Sequence, residues 1–112
     1  MKRTPENIVK EMLKSYLDSI KAFHYPASAG AYSVAGIPDR MGCYKGFLFG
    51  AECKALGKKP TALQNVCKER IEAAGGQWFL IDGPMSMELL KAWVRQVDLV
   101  TATWGDFRVI AA

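Results

Sequence analysis

The nine residues from Gly46 to Lys54 (GFLFGAECK) constrain this chain more than any other stretch. Successive side chains of a strand point to opposite faces. Phe47, Phe49, Ala51 and Cys53 therefore share one core-like face, and Leu48, Gly50, Glu52 and Lys54 share the other. Glu52 and Lys54 stand two apart on the same side, with Cα atoms about 6.5–7 Å apart. On a half-exposed strand such a pair would be a solvated ion pair worth little for stability. Because the rest of this strand is apolar, the pattern points to an acid–base or metal–water pair.

The neighbouring pattern supplies the strand's partners. Residues 39–45 read as a second strand, joined to the first near Gly46, and a hairpin there would bring Asp39 beside Glu52. Val9, Met12, Leu13, Tyr16, Leu17, Ile20 and Phe23 recur at helical spacing, which predicts a helix over 5–23 with Thr4 as N-cap and Pro5 in its first turn. Residues 24–38 read as a loop containing His24, with a short extended piece at 32–34. A second helix is expected over 61–74, with Leu63, Val66, Cys67, Ile71 and Ala74 as its apolar stripe and Gly75-Gly76 as its stop. Residues 78–81 read as a short buried strand. A third helix is expected from Ser86, as cap, to about Val97, with Leu89, Leu90, Trp93, Val94 and Val97 inward. Leu99–Trp104 and Phe107–Ile110 suggest a hairpin across Gly105-Asp106. The alternation of helices and strands predicts a mixed α/β domain around a small sheet.

Composition narrows the chemistry. The 112 residues suit one domain. A single histidine and three cysteines without a CxxC pair exclude zincins, zinc ribbons and thioredoxin-like motifs. A metal here would sit on oxygen ligands, which selects magnesium or manganese. The formal net charge of +4 is compatible with a polyanion partner. No window is long and apolar enough to span a membrane. Residues 1–6 run straight into an amphipathic pattern, so no signal peptide is expected. Unpaired thiols suit a reducing compartment, and the expected location is cytoplasmic. Cys43, Cys53 and Cys67 read as small core residues.

Asp39, Glu52 and Lys54 together are what phosphodiester hydrolysis requires. A carboxylate-held divalent cation lowers the pKa of bound water and polarises the phosphoryl oxygen. A neighbouring lysine orients the water and stabilises developing charge. The pattern Pro38-Asp39…Glu52-Cys53-Lys54 resembles that of PD-(D/E)xK nucleases. The wider string resembles the VRR-Nuc (virus-type replication-repair nuclease) family: Gly36-Ile37-Pro38-Asp39, Gly46 to Lys54, Lys58-Lys59-Pro60-Thr61-Ala62-Leu63-Gln64 and Gly75-Gly76. The likeness spans roughly residues 6–82 and is to the small stand-alone members of phages and prophages. Gly50 departs from it, since a larger residue is more usual there.

The resemblance implies a restriction-endonuclease-like core, a small mixed sheet flanked by helices. It implies metal ligation by Asp39 and Glu52, with the backbone carbonyl of Cys53 completing the shell. It gives Lys54 a catalytic role and Gln64 a supporting one, although Thr61-x-x-Gln64 also matches a capping box. It carries an acidic residue on the first helix. Glu6 falls about 60° from Val9 on the helical wheel and Glu11 about 200°, so Glu6 is selected; it also suits the helix dipole. Lys58 and Lys59, with Ser33 and Tyr32, are candidate DNA contacts. The implied activity is Mg²⁺- or Mn²⁺-dependent cleavage of structured DNA by a homodimer, as in Holliday-junction resolvases, without a small-molecule cofactor. Trp93 and Trp104 on the C-terminal helix and hairpin are the expected dimer interface. Alternatives are a flap, single-strand or nicking nuclease with the same site, and a non-catalytic DNA-binding subunit.

Overall fold

A computed structural model describes residues 3–28 and 33–104. In chain order these form α1 (Pro5–Ser19), β1 (Phe23–Pro26), β2 (Arg40–Tyr44), β3 (Phe47–Cys53), α2 (Ala62–Ala73), β4 (Gln77–Ile81) and α3 (Pro84–Trp104). The four strands make one mixed sheet in the order β1-β2-β3-β4. The first three are antiparallel neighbours, and β4 runs parallel to β3 after the α2 crossover.

Local chemistry explains the elements. Thr4 caps α1, its hydroxyl accepting from the Asn7 N–H at 3.2 Å, and Pro5 opens the first turn. Tyr44 faces Phe47 across the two-residue turn Lys45-Gly46, both at positive φ, the twist that closes a tight hairpin. α2 starts with a complete capping box between Thr61 and Gln64 and ends on Gly75 at φ 91°. There the Gly76 N–H donates to the Ile71 carbonyl and the Gly75 N–H to that of Glu72.

The sheet is covered on both faces. On one, Val9, Leu13 and Leu17 of α1 and Met87, Leu90, Val94 and Val97 of α3 close over Tyr44, Phe49, Ala51, Cys53, Phe79 and Ile81. On the other, Cys67 and Ile71 of α2 cover Met41 and Trp78. Phe49, Ala51 and Cys53 all lie in the core, as their alternation predicts.

Several local expectations differ from the structure. The first helix ends at Ser19, and residues 23–26 inside the expected helix-and-loop region form the edge strand β1. Four residues ending in proline carry too little alternation to announce a strand; pairing with β2 creates it. Val34 belongs to no strand, and Tyr32 lies outside the described residues. Leu63, Val66 and Leu89 are exposed instead of inward, because a lone sheet face buries only a narrow stripe of each helix.

The third helix begins two residues before Ser86 and runs through Trp104, so Leu99–Trp104 is not a strand. The remainder of the expected hairpin, Phe107–Ile110, lies outside the described residues. Ser86 instead sits in the first turn, where its Oγ accepts from the N–H groups of Asp82 and Gly83. The β-branched residues Val100, Thr101 and Thr103 are helical all the same. The hydroxyls of Thr101 and Thr103 donate to carbonyls four residues back, and Asp98 is held by Tyr44 and Lys45, both at 2.7 Å. Trp93 packs edge-on against Phe49 and Phe79 in the core, whereas Trp104 is 68% exposed. No described helix is long and apolar enough to cross a membrane.

Candidate functional site

The site forms where β2 begins and β3 ends. Arg40 pairs with Ala51, so the next positions outward, Asp39 and Glu52, meet at the end of the ladder. Two hydrogen bonds lock them. The Asp39 N–H donates to Glu52 Oε1 at 3.2 Å, and the Cys53 N–H donates to Asp39 Oδ2 at 2.8 Å. Each carboxylate is thus oriented by a backbone amide at the end of the opposite strand.

Two glycines make this approach possible. Gly36 has φ +74°, and a Cβ there would lie 2.2 Å from the Leu63 carbonyl oxygen, so the loop leading to Asp39 is seated against the start of α2. A Cβ on Gly50 would come within 2.8 Å of Met41 Sδ and 2.9 Å of Pro38 Cγ. Gly50 therefore makes room for the buried proline before Asp39.

Glu52 is 2% exposed, and its Oε2 is buried with no hydrogen-bond partner. Burial, reinforced by the hydrogen bond and charge of Asp39, pushes its carboxyl from 4.5 to about 8; the Lys54 ammonium pulls the other way. Lys54 is half-buried and anchored by its N–H to the Ile81 carbonyl at 3.0 Å. The Cys53 thiol points into the α1 side of the core. Burial first, then the neighbouring carboxylates, pushes it up to about 12, so it remains an inert thiol.

α1 brings a further charge that sequence reasoning missed. Lys10 Nζ lies 3.3 Å from Glu6 Oε2 and 3.8 Å from Asp39 Oδ1. Glu6 therefore reaches the pair through Lys10, while Glu11 turns away to Arg3 at 2.8 Å. The signal was present: on the wheel Lys10 falls about 40° from Glu6, on the same flank of the inward stripe. The Lys10 ammonium is held in its charged form: burial opposes this, but Asp39 and Glu6 prevail and raise its pKa. Lys10 and Arg40 both line a cleft of about 110 Å³, together with Asp39 and Ser28. Ser28 Oγ stands 3.4 Å from Asp39 Oδ1.

His24 and Arg40 were also not assigned to the site. The His24 side chain is 7% exposed and uses both ring nitrogens. Nδ1 lies 2.9 Å from an Arg40 guanidinium nitrogen, and Nε2 lies 2.7 Å from Asp18 Oδ1. Guanidinium can only donate, so Nδ1 must accept and Nε2 must carry the proton given to Asp18. This array fixes Arg40 next to Asp39.

The other expected residues sit farther from the pair. Gln64 closes the α2 cap, its Oε1 accepting from the Thr61 N–H at 2.8 Å. It borders a separate hollow with Ser33 and Gly36, joined to the carboxylate cleft through Ser28. Lys58 and Lys59 are exposed in the turn before α2.

Among the described residues, no three His, Cys, Asp or Glu side chains converge as a ready metal cage. The arrangement fits a sparser hard cation: two oriented carboxylates, one with a buried unpartnered oxygen, suffice for Mg²⁺ or Mn²⁺ that retains several waters. No protein-family model matches the chain, and no curated protein matches it.

Proposed function

We propose that this chain is a Mg²⁺- or Mn²⁺-dependent DNA endonuclease of VRR-Nuc type, with a restriction-endonuclease-like PD-(D/E)xK core. The observation that carries the reading is the Asp39–Glu52 pair. Two carboxyl groups are held together by backbone amides, and one oxygen is left buried and unsatisfied. An unpaired buried acceptor is costly, and a divalent cation would satisfy it.

Asp39 and Glu52 would hold the cation, with the Cys53 carbonyl as a further ligand. When bound, the cation supplies a nucleophilic water near neutral pH and polarises the phosphoryl oxygen. Lys54, beside Glu52, orients that water and stabilises charge developing on the phosphate. Lys10 and Arg40 neutralise the phosphate from the α1 side, and Glu6 steers the Lys10 ammonium. Gln64 holds the start of α2, against which the Gly36–Asp39 loop rests.

The homodimer that cuts opposite strands of a junction stays part of this proposal. Its interface would use the exposed Leu89, Leu99 and Trp104 of α3 and not Trp93, which belongs to the core.

The test is cleavage of a labelled four-way junction with Mg²⁺ or Mn²⁺, beside flap, single-strand and duplex substrates. Paired nicks on the junction that disappear with Asp39→Ala are expected, a loss of more than about 100-fold. Cleavage of flaps or single strands alone keeps the site and removes the junction role. DNA bound but never cut leaves a binding subunit.

A further inference from the structure

β1 carries a feature that neither the core nor the carboxylate site uses. Phe23 and Tyr25 are 69% and 48% exposed. They stand two apart on one strand and so share a face. Their ring centroids are 5.9 Å apart, tilted by 52°. Between them, His24 points to the opposite face, where it tethers Arg40. Two adjacent exposed aromatic rings are the kind of apolar feature a small protein retains for contact.

The carboxylate cleft opens beside the end of this strand but on the opposite face: Phe23 and Tyr25 pair with Cys43 and Met41 on the α2 side, whereas Pro26, Arg40 and Lys10 line the cleft on the α1 side. Tyr25 pairs with Met41, two residues from Asp39. At about 3.3 Å per residue and 4.8 Å between strands, its Cα lies about 8 Å from that of Asp39. Pro26 and Ser28 border the cleft, and the Ala27 N–H donates to the Asp39 carbonyl at 2.9 Å. The cleft holds Lys10 and Arg40, and the exposed Lys21 stands two residues before Phe23. Because β1 is the edge of the sheet, a nucleic-acid strand crossing that edge has bases to stack on the rings on one side and cations for its phosphates on the other.

We propose that Phe23 and Tyr25 form a stacking step for unpaired DNA bases on a strand that crosses the free β1 edge, its phosphates turning to the Lys10–Arg40 cleft on the other face. The proposal rests on the nuclease reading for the direction of that strand. A second copy of the chain is the other occupant to consider. β1 is poorly suited to it, since the strand is four residues long and ends in Pro26, which has no N–H for a further ladder. Stacking is indifferent to base identity, so the step selects for unpaired nucleotides and not for sequence.

The test uses the full chain in Ca²⁺, which permits carboxylate coordination while cleavage is followed separately in Mg²⁺ or Mn²⁺. Anisotropy of a fluorescein-labelled single-stranded oligonucleotide is compared with that of its fully paired duplex. Phe23→Ala with Tyr25→Ala is expected to weaken single-strand binding about tenfold or more and to leave duplex binding unchanged. Phe23→Trp and Tyr25→Phe, which keep the rings, are expected to retain single-strand affinity. Equal losses on both DNAs, no loss, no DNA binding by the unaltered protein, or a loss that follows a dimer-to-monomer change in mass would each overturn the stacking step. Ring-dependent binding without cleavage would overturn the nuclease reading alone. Asp39-dependent cleavage with ring-independent binding would overturn only the stacking step.

Discussion

The two faces of the sheet are built differently. Under α1 and α3, large apolar side chains from two helices and three strands close a continuous core around Phe49. Under α2, four buried residues make a smaller cluster, and Glu52 is buried on the same side as Met41 and Trp78. The first face supplies stability. The second accepts a carboxyl group that stability alone would exclude, because burying a polar group without full pairing is unfavourable. A protein of this size can carry such a group only if the opposite face over-determines the fold.

Truncation on the two sides breaks the comparison most directly. Phe49→Ala is expected to cost about 3–5 kcal/mol, and Ile71→Ala under α2 about 2 kcal/mol. Urea unfolding measures both. Equal losses would mean that the two clusters stabilise the fold alike.

Glu52→Gln sharpens the contrast. Its folded pKa is raised from 4.5 to about 8, so the stability tied to its protonated form is complete below pH 4.5 and is lost as the pH rises through 8. The metal-free protein should therefore lose stability over that range, by at most about 5 kcal/mol. The variant, neutral throughout, should show a flatter profile and greater stability at pH 8.5. Mg²⁺ or Mn²⁺ should raise the melting temperature of the unaltered protein and not that of the variant. A metal response that survives in Glu52→Gln would remove Glu52 from the ligand set.

Gln64→Ala tests whether the α2 face contributes more than a scaffold. Loss of the cap should cost about 0.5–1 kcal/mol. If cleavage at a temperature where both proteins are folded falls no further than this explains, Gln64 acts only through the helix start.

The smallest effect comes from the helix ends. α1 and α2 finish in the same hydrogen-bonded turn, but α1 places Lys21 at φ 60° where α2 places Gly75 at φ 91°. A left-handed non-glycine residue is strained. Lys21→Gly should therefore stabilise by about 0.5–1 kcal/mol, read as a shift in the urea midpoint. Destabilisation instead would mean that the Lys21 side chain contributes more than its backbone strain removes.

Much of this molecule is readable in its sequence, for reasons that are local. Alternation from Phe47 to Cys53, the Thr4 and Thr61 caps, the Gly75 stop and the hairpin turn near Gly46 depend on neighbours within a few residues. The meeting of Asp39 and Glu52 follows from that hairpin's register, which a short turn determines. Only tertiary structure decided the rest. β1 exists because β2 offers it a ladder, and α3 runs on through Leu99–Trp104 past Asp98, which Tyr44 and Lys45 of the β2–β3 hairpin hold. Lys10 reaches Asp39 from α1, and His24 of β1 holds the Arg40 side chain at the same cleft, contacts that no spacing rule encodes. Short-range pattern specifies dihedrals and facing. Which distant side chains share a cleft depends on how whole elements pack, and that information is distributed over the chain.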